Sequence, residues 1–291
     1  MTSLQSSGKN YPSWLNRIDY SFESHYFDLP VGRMHYVDEG TGDPIVMIHG
    51  NPAWSYCYRY LINGLKNQYR CIAPDHIGFG LSDKPSDWDY LPQHHAENLE
   101  AFLESLHLTN ITLIVNDWGG PTGLSYAIRH PEKIKKLVIL NTWMWSVADD
   151  AYYRNFSGFM GGPIGKFLIK NFNFFGKSVV KKAFGNSAKL TPEIHKHYYL
   201  HLDSPDHRKG SYVFPKEIVG SSNWLNSLWQ KREVISHKPT LFAWGMKDIA
   251  FREKELNTWT SNWHNYKVIK MENAGHYPQE IAPELIINEL R

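Results

Sequence analysis

Val115-Asn116-Asp117-Trp118-Gly119-Gly120 decides how the rest of the chain is read. The apolar run Ile111-Thr112-Leu113-Ile114-Val115 leads into it, and Pro121 to His130 beyond it reads as a helix. A strand that turns sharply into a helix, with glycines just after the turn, is a nucleophile elbow. Such a turn lifts the residue at its tip clear of the sheet, at the strand's C-terminal end. Gly119 and Gly120 let the helix begin close to the strand. The first N–H groups of the helix and its dipole favour negative charge there. Most elbows of this kind present Ser or Cys; this one presents Asp117.

On both sides of the elbow, short apolar runs alternate with helical stretches. Tyr26–Leu29 and Met34–Val37 form an opening hairpin turned near Gly32. Pro44–Ile48, Arg70–Pro74 and Lys135–Leu140 read as strands, Trp54–Leu65 and Gln93–Leu106 as helices. The rhythm resumes at Pro239–Trp244 and Tyr266–Met271 and closes with a short helix, Pro283–Leu290. This alternation predicts a mostly parallel, twisted sheet flanked by helices on both faces. Between Trp143 and about Ser227 the chain is aromatic, basic and strand-poor. The expected fold class is therefore α/β, with a helical cap inserted after the sixth strand. The core comprises 1–142 and 228–291, and the cap 143–227. The cap would lie over the C-terminal ends of the strands, where open α/β sheets bind ligands. Its aromatic residues either wall an apolar pocket or form the cap's own core, and both can hold.

The chain has 291 residues, 42% of them hydrophobic, which suits one large domain with an insertion. Net charge is +2 and the cations form no stripe of the kind that tracks phosphates, so no nucleic-acid partner is expected. Cys57 and Cys71 make no framework, and no CxxC occurs, as befits a reducing compartment. Met1–Asn10 is polar and lacks the apolar core of a signal peptide. No apolar stretch is long enough to span a bilayer. The expectation is a cytoplasmic protein with no membrane partner. His76, His94 and His95 lack acid or thiol partners at ligand spacing, and His195-Lys196-His197 is too short for a metal site. Neither a metal nor a cofactor is expected.

Three strand ends supply polar residues on one edge of the sheet: Asp117, Asp248 in Trp244-Gly245-Met246-Lys247-Asp248, and His276 in Asn273-Ala274-Gly275-His276. Nucleophile, acid, histidine is the order of the α/β-hydrolases. It assigns Asp117 as nucleophile, His276 as base and Asp248 as the orienting acid. Displacement at saturated carbon by Ser would leave an ether, which water does not readily cleave. Displacement by a carboxylate leaves an ester, whose carbonyl carbon water activated by His276 can attack. An elbow Asp therefore points to opening an epoxide or removing a halide; the bland alternative is a buried Asp paired with a cation. A departing halide needs donors aimed at its charge. Trp118 offers an indole N–H and Asn51 an amide NH2, against the plain roles of packing and loop cap. The backbone N–H groups of the same two residues would form the oxyanion hole. His49 is placed beneath the Asn51 loop, and Asp75, Ser82 and Asp83 are read as shaping theirs.

His49-Gly50-Asn51-Pro52, the run Asp75 to Pro85, Asp117-Trp118-Gly119-Gly120, Trp244 to Asp248 and Gly275-His276 resemble the haloalkane dehalogenases over essentially the whole chain. In one group of that family the acid is a Glu after the strand that here ends at Asn141. A second pairs the halide-binding Trp with another from the lid. The combination here, with acid at Asp248 and halide donors Asn51 and Trp118, is similar to the third. Asn116 departs from the His or Gln often found before the nucleophile, a change that bears on pocket polarity. The resemblance implies hydrolysis of a carbon–halogen bond in a small apolar substrate, through a covalent alkyl-enzyme ester on Asp117, with halide ion as product. It also raises the prospect of a homo-oligomer. β-Lactone decarboxylases of olefin biosynthesis keep a similar residue set. Epoxide hydrolases share the elbow but need two lid tyrosines, for which Tyr152, Tyr153, Tyr198, Tyr199 and Tyr212 are available. Coelenterazine-type luciferases share the scaffold. A hydrolase-fold receptor for a small apolar ligand is the non-enzyme alternative, against which the intact triad argues.

Overall fold

In the computed structural model, which describes residues 11–185 and 188–291, the apolar runs pair into one eight-stranded sheet. Met1–Asn10, read above as unlike a signal peptide, lies outside the described residues. The strands are β1 (His25–Leu29), β2 (Gly32–Glu39), β3 (Pro44–Ile48), β4 (Arg70–Pro74), β5 (Ile111–Asn116), β6 (Ile134–Leu140), β7 (Thr240–Gly245) and β8 (Tyr266–Met271). Their order is β1-β2-β4-β3-β5-β6-β7-β8; β2 pairs antiparallel with both β1 and β4, and every other pair is parallel.

The central strands are buried on both faces, which is why they read as unbroken apolar runs. Ile111, Leu113 and Val115 of β5 face one core, and Ile114 the other. In β7, Phe242 and Trp244 feed the first core and Leu241 and Ala243 the second. Twelve α-helices among the described residues flank the sheet or fill the insertion. Those outside the insertion are α1 (Arg59–Leu65), α2 (Pro92–Ser105), α3 (Gly119–Arg129), α10 (Glu253–Thr260), α11 (Pro278–Ile281) and α12 (Pro283–Leu290). Between β6 and β7 lie α4 (Ala151–Met160), α5 (Pro163–Phe172), α6 (Val180–Ala183), α7 (Pro192–Lys196), α8 (Lys209–Gly220) and α9 (Ser222–Gln230), and no strand among the described residues. Leu99, Leu124, Leu225 and Trp259, from α2, α3, α9 and α10, share the first core; Leu61 and Ile286, from α1 and α12, share the second.

Three local outcomes differ from the sequence pattern. The helix expected over Trp54–Leu65 starts as a 3-10 turn, Ser55–Tyr58, and becomes α1 only at Arg59. The elbow helix begins at Gly119, two residues early. α10 carries no Ser, Thr, Asp or Asn at its start, the usual signal. Instead the Arg252 N–H donates to Glu255 Oε2 at 2.7 Å.

Among the residues that fasten the inserted segment to the core is His201, on the turn Leu200–Leu202. Its Nδ1 accepts the Gly80 N–H at 3.0 Å, and Nε2 lies 3.0 Å from the Pro52 carbonyl oxygen. An amide N–H can only donate, so Nδ1 is bare and Nε2 carries the hydrogen.

Candidate active site

The elbow forces Asp117 to φ +52°, a left-handed backbone that a non-glycine residue adopts at a cost. Its carbonyl accepts from Gly120 N–H at 2.9 Å and Thr142 Oγ1 at 2.5 Å, which hold the turn. Two glycines make the geometry sterically possible. A Cβ on Gly119 would stand 2.1 Å from the Ile48 carbonyl oxygen, and one on Gly50 would stand 2.2 Å from Asp117 Oδ1.

The two carboxylate oxygens of Asp117 have different surroundings. Oδ1 accepts the Asn51 backbone N–H at 2.7 Å, and the Trp118 backbone N–H also bonds the carboxylate. Oδ2 lies 3.5 Å from His276 Nε2. On the other side of the ring, His276 Nδ1 lies 2.8 Å from Asp248 Oδ2. Asp248 is itself held: Oδ1 accepts from Ala250 N–H at 2.7 Å and Oδ2 from Asn141 Nδ2 at 2.9 Å. Burial raises the Asp117 carboxyl above its usual range, against the opposing pull of His276 and the two N–H groups. For His276, burial pushes the imidazole down, but the nearby Asp248 and Asp117 charges outweigh it and the net direction is up.

Asn51, Asp117, Trp118 and His276 line one apolar cavity, whose remaining wall includes Tyr152, Tyr153, Phe156, Phe175, Val179, Ile218 and Phe251. The fold thus brings together all five residues singled out from sequence, with Asp248 behind His276. Trp118 stacks on Phe214 at 5.1 Å and meets Trp143 edge-on at 4.6 Å. Neither its indole N–H nor the Asn51 NH2 is taken by another described residue, and Asn51 Oδ1 is buried without a partner. Of the five tyrosines named above in the inserted segment, Tyr152 and Tyr153 reach the cavity, and their hydroxyls donate to the Ile249 and Ala250 carbonyls. Tyr198 donates to Glu280 at 2.7 Å, and Tyr199 and Tyr212 do not line the cavity.

Other expectations need adjustment. Asn116 does not set pocket polarity: it is buried behind the site, donating to Leu140 and His276 carbonyls and accepting from Gln279 Nε2, each at 3.2 Å. His94 has an acid neighbour after all, Asp89 at 2.8 Å, on the surface. His49 braces two loops, with Nδ1 2.8 Å from the Gly50 carbonyl oxygen and Nε2 accepting the His76 N–H at 2.9 Å. Asp75 accepts from Ser55 N–H and Leu81 N–H and pairs with His35; although burial opposes it, this holds its carboxyl at about 2. Glu233, His237 and His264 cluster within ligand reach of one another, exposed, beside the N-terminal ends of β7 and β8 and so at the opposite edge of the sheet from Asp117. Asn141, the clamp on Asp248, was not singled out as a positioning residue. Its place at the end of β6, between two strand ends that carry site residues, was the available signal.

Residues 43–283 match the family model described as alpha/beta hydrolase fold. Haloalkane dehalogenase 2 of Mycobacterium tuberculosis is 37% identical over 271 residues, covering 92% of this chain and 93% of that protein. The cis-3-alkyl-4-alkyloxetan-2-one decarboxylase of Shewanella oneidensis is 35% identical over 285 residues, covering 93% and 87%. Among solved structures, a variant of haloalkane dehalogenase DatA from Agrobacterium tumefaciens superposes with a TM-score of 0.81 at 26% identity, covering 92% of this chain and 95% of that one. Sheet order, elbow and sequence likeness agree: this chain belongs to the alpha/beta hydrolase family, with haloalkane dehalogenases among its relatives.

Proposed function

We propose that this chain is a haloalkane dehalogenase, converting a 1-haloalkane and water to a primary alcohol, a halide ion and a proton. The observation that carries the reading is the division of labour between the Asp117 oxygens. Oδ2, on the His276 side, is free to attack the carbon that bears the halogen. The halide leaves toward Asn51 NH2 and Trp118 Nε1–H, neutral donors with no other engagement among the described residues. The product is an ester whose carbonyl oxygen, Oδ1, already rests on the Asn51 backbone N–H, with the Trp118 N–H bonded to the same carboxylate. His276 then takes a proton from water, which attacks the ester carbon. The oxyanion forms where those donors already point, and Asp248 stabilises the imidazolium. Collapse expels the alkoxide, which takes the proton back from His276 and leaves as the alcohol, and the regenerated carboxyl group ionises to release the net proton.

The segment 143–227 serves as the cap: Tyr152, Tyr153, Phe156, Phe175 and Val179 supply a dry wall that strengthens hydrogen bonds to the halide. Cys57 and Cys71, both buried and unpaired, fit a cytoplasmic protein. Epoxide opening is disfavoured, because its alkoxide needs an acidic proton while the Tyr152 and Tyr153 hydroxyls are committed to main-chain carbonyls. The second reading is β-lactone decarboxylation, favoured by the decarboxylase relative at 35% identity.

The deciding experiment uses His276→Gln with a 1-bromoalkane. It should release about one bromide per site and stop, with the alkyl group on the Asp117 peptide by mass spectrometry. Sustained turnover, or an adduct elsewhere, sinks the assignment. If wild-type protein consumes a cis-dialkyl β-lactone and leaves 1-bromoalkanes untouched, the second reading replaces the first.

A further inference from the structure

Between Ala151 and Pro192 the sequence carries seven lysines and arginines and no carboxylate. The whole chain is only +2, so the remainder is net negative. The same stretch exposes large apolar side chains: Phe159 at 51%, Ile164 at 64%, Phe167 at 57% and Phe172 at 59%. These are not the insertion's own core, which is built from Met160, Ile169 and Phe175.

The arrangement on α5 is orderly. Gly165 and Ile169, one turn apart, face inward. Ile164, Phe167 and Phe172 follow at i, i+3 and i+8 on the outer side, with Phe167 and Phe172 ring centroids 5.9 Å apart. Lys166 and Lys170 run along the border of this stripe, also one turn apart. Gly165 abuts the end of α4, where a Cβ would meet the Phe159 and Met160 carbonyl oxygens at 2.4 Å, so Phe159 extends the apolar face. The border cations are weakly engaged. Lys166 lies over the Tyr212 ring, and Lys170 reaches exposed Asp206 only at 3.6 Å.

An apolar stripe bordered by lysines is the pattern of helices that lie in a membrane interface. A second copy of this chain is a poor occupant, because a symmetric contact would set cation against cation. We infer that the outer face of α4 and α5 docks on the surface of an anionic lipid bilayer, with Ile164, Phe167 and Phe172 entering the headgroup layer and the lysines meeting lipid phosphates. No helix among the described residues is long and apolar enough to cross a membrane, so the contact is peripheral. It departs from the expectation of no membrane partner, which rested on the lack of a span. Phe156 and Phe175 of the cavity wall belong to the same inserted segment, so docking brings the pocket close to the acyl region.

The test is co-sedimentation of the full chain with vesicles of phosphatidylcholine, with or without phosphatidylglycerol. Binding should need phosphatidylglycerol, weaken with salt and resist competing inorganic phosphate. Lys166→Glu with Lys170→Glu should reduce partitioning roughly a hundredfold. Phe167→Ser with Phe172→Ser should reduce it about tenfold or more. Both variants should keep the wild-type circular dichroism and turn over a water-soluble substrate normally. Asp117→Asn should bind vesicles like wild type, which separates this result from the proposed reaction. No partition into anionic vesicles, or wild-type partition by both double variants, overturns the inference. So does an oligomer that Phe167→Ser with Phe172→Ser dissociates while vesicle binding stays unchanged, which would make the face a subunit contact.

Discussion

For Asp117 to attack carbon it must be ionised, and burial works against that. His276 and two backbone N–H groups offset part of that penalty, so in the proposed reaction the base of the second step also steadies the nucleophile of the first. The consequence is a dependence on pH. His276 must be neutral to take a proton from water, yet Asp248 and Asp117 together hold its pKa above the ordinary 6.5. In the alkyl-enzyme the Asp117 charge is gone, and Asp248 alone supports the imidazolium. Ester decay in single turnover should therefore speed up as pH rises through the His276 titration. In Asp248→Asn, slower decay should come with a midpoint at lower pH. A midpoint that does not move would place the base elsewhere. At this scale the grouping of Asp117, Asp248 and His276 was legible, because each follows the end of a strand on the same edge of the sheet. The residues that hold them were less so. Asn141 and Thr142 act through hydrogen bonds to Asp248 and to the Asp117 carbonyl, and nothing in an Asn-Thr pair announces that geometry.

Arg59 joins three elements that are far apart in sequence. It is fully buried at the start of α1, with Nε 2.9 Å from Asp19 Oδ2 and a terminal nitrogen 2.5 Å from Glu280 Oε1 in α11. Its guanidinium lies 3.9 Å from the Tyr56 ring centroid, and Glu280 also accepts the Tyr198 hydroxyl from the inserted segment. Removing one partner leaves an uncompensated buried charge. Glu280→Ala should lower the unfolding free energy by about 3–5 kcal/mol, read from urea denaturation. A loss below 1 kcal/mol would show that water or Asp19 suffices for Arg59. The strands and their order were legible because a doubly covered sheet requires apolar runs. α10 and the inner course of the insertion were not. The first starts without a standard cap. The second includes a π-helical turn, Phe175–Val179, and a left-handed Asn173, which tertiary packing selects over local propensity.

Across the whole molecule, buried imidazoles set the acid limit. His76 and His95 have both ring nitrogens buried without a partner, and burial holds both far below the usual histidine range. Burial brings His201 to about 3. In the unfolded chain each would titrate near 6.5. Below that value the unfolded state binds protons that the folded state refuses. The stabilisation is complete above pH 6.5 and is lost as pH falls toward the folded values. His276, whose pKa is raised, opposes this with one group. The unfolding free energy should drop by about 2–4 kcal/mol per pH unit between pH 6 and 5. His95→Phe should reduce that slope while keeping the ring stacked on Phe214, 4.9 Å away in the native protein. A flat profile from pH 8 to 5 would contradict the assignment.

His201 carries this logic to the junction between the insertion and the core. It fastens the two through one tautomer, bare at Nδ1 and protonated at Nε2, with no formal charge on imidazole, amide or carbonyl. Dissolved ions have nothing there to screen, whereas a single extra proton removes the acceptor that Gly80 needs. The inserted segment thus answers to two different solution variables: ionic strength governs its lysine-bordered outer face, and acidity acts on one of its inner fastenings, at His201.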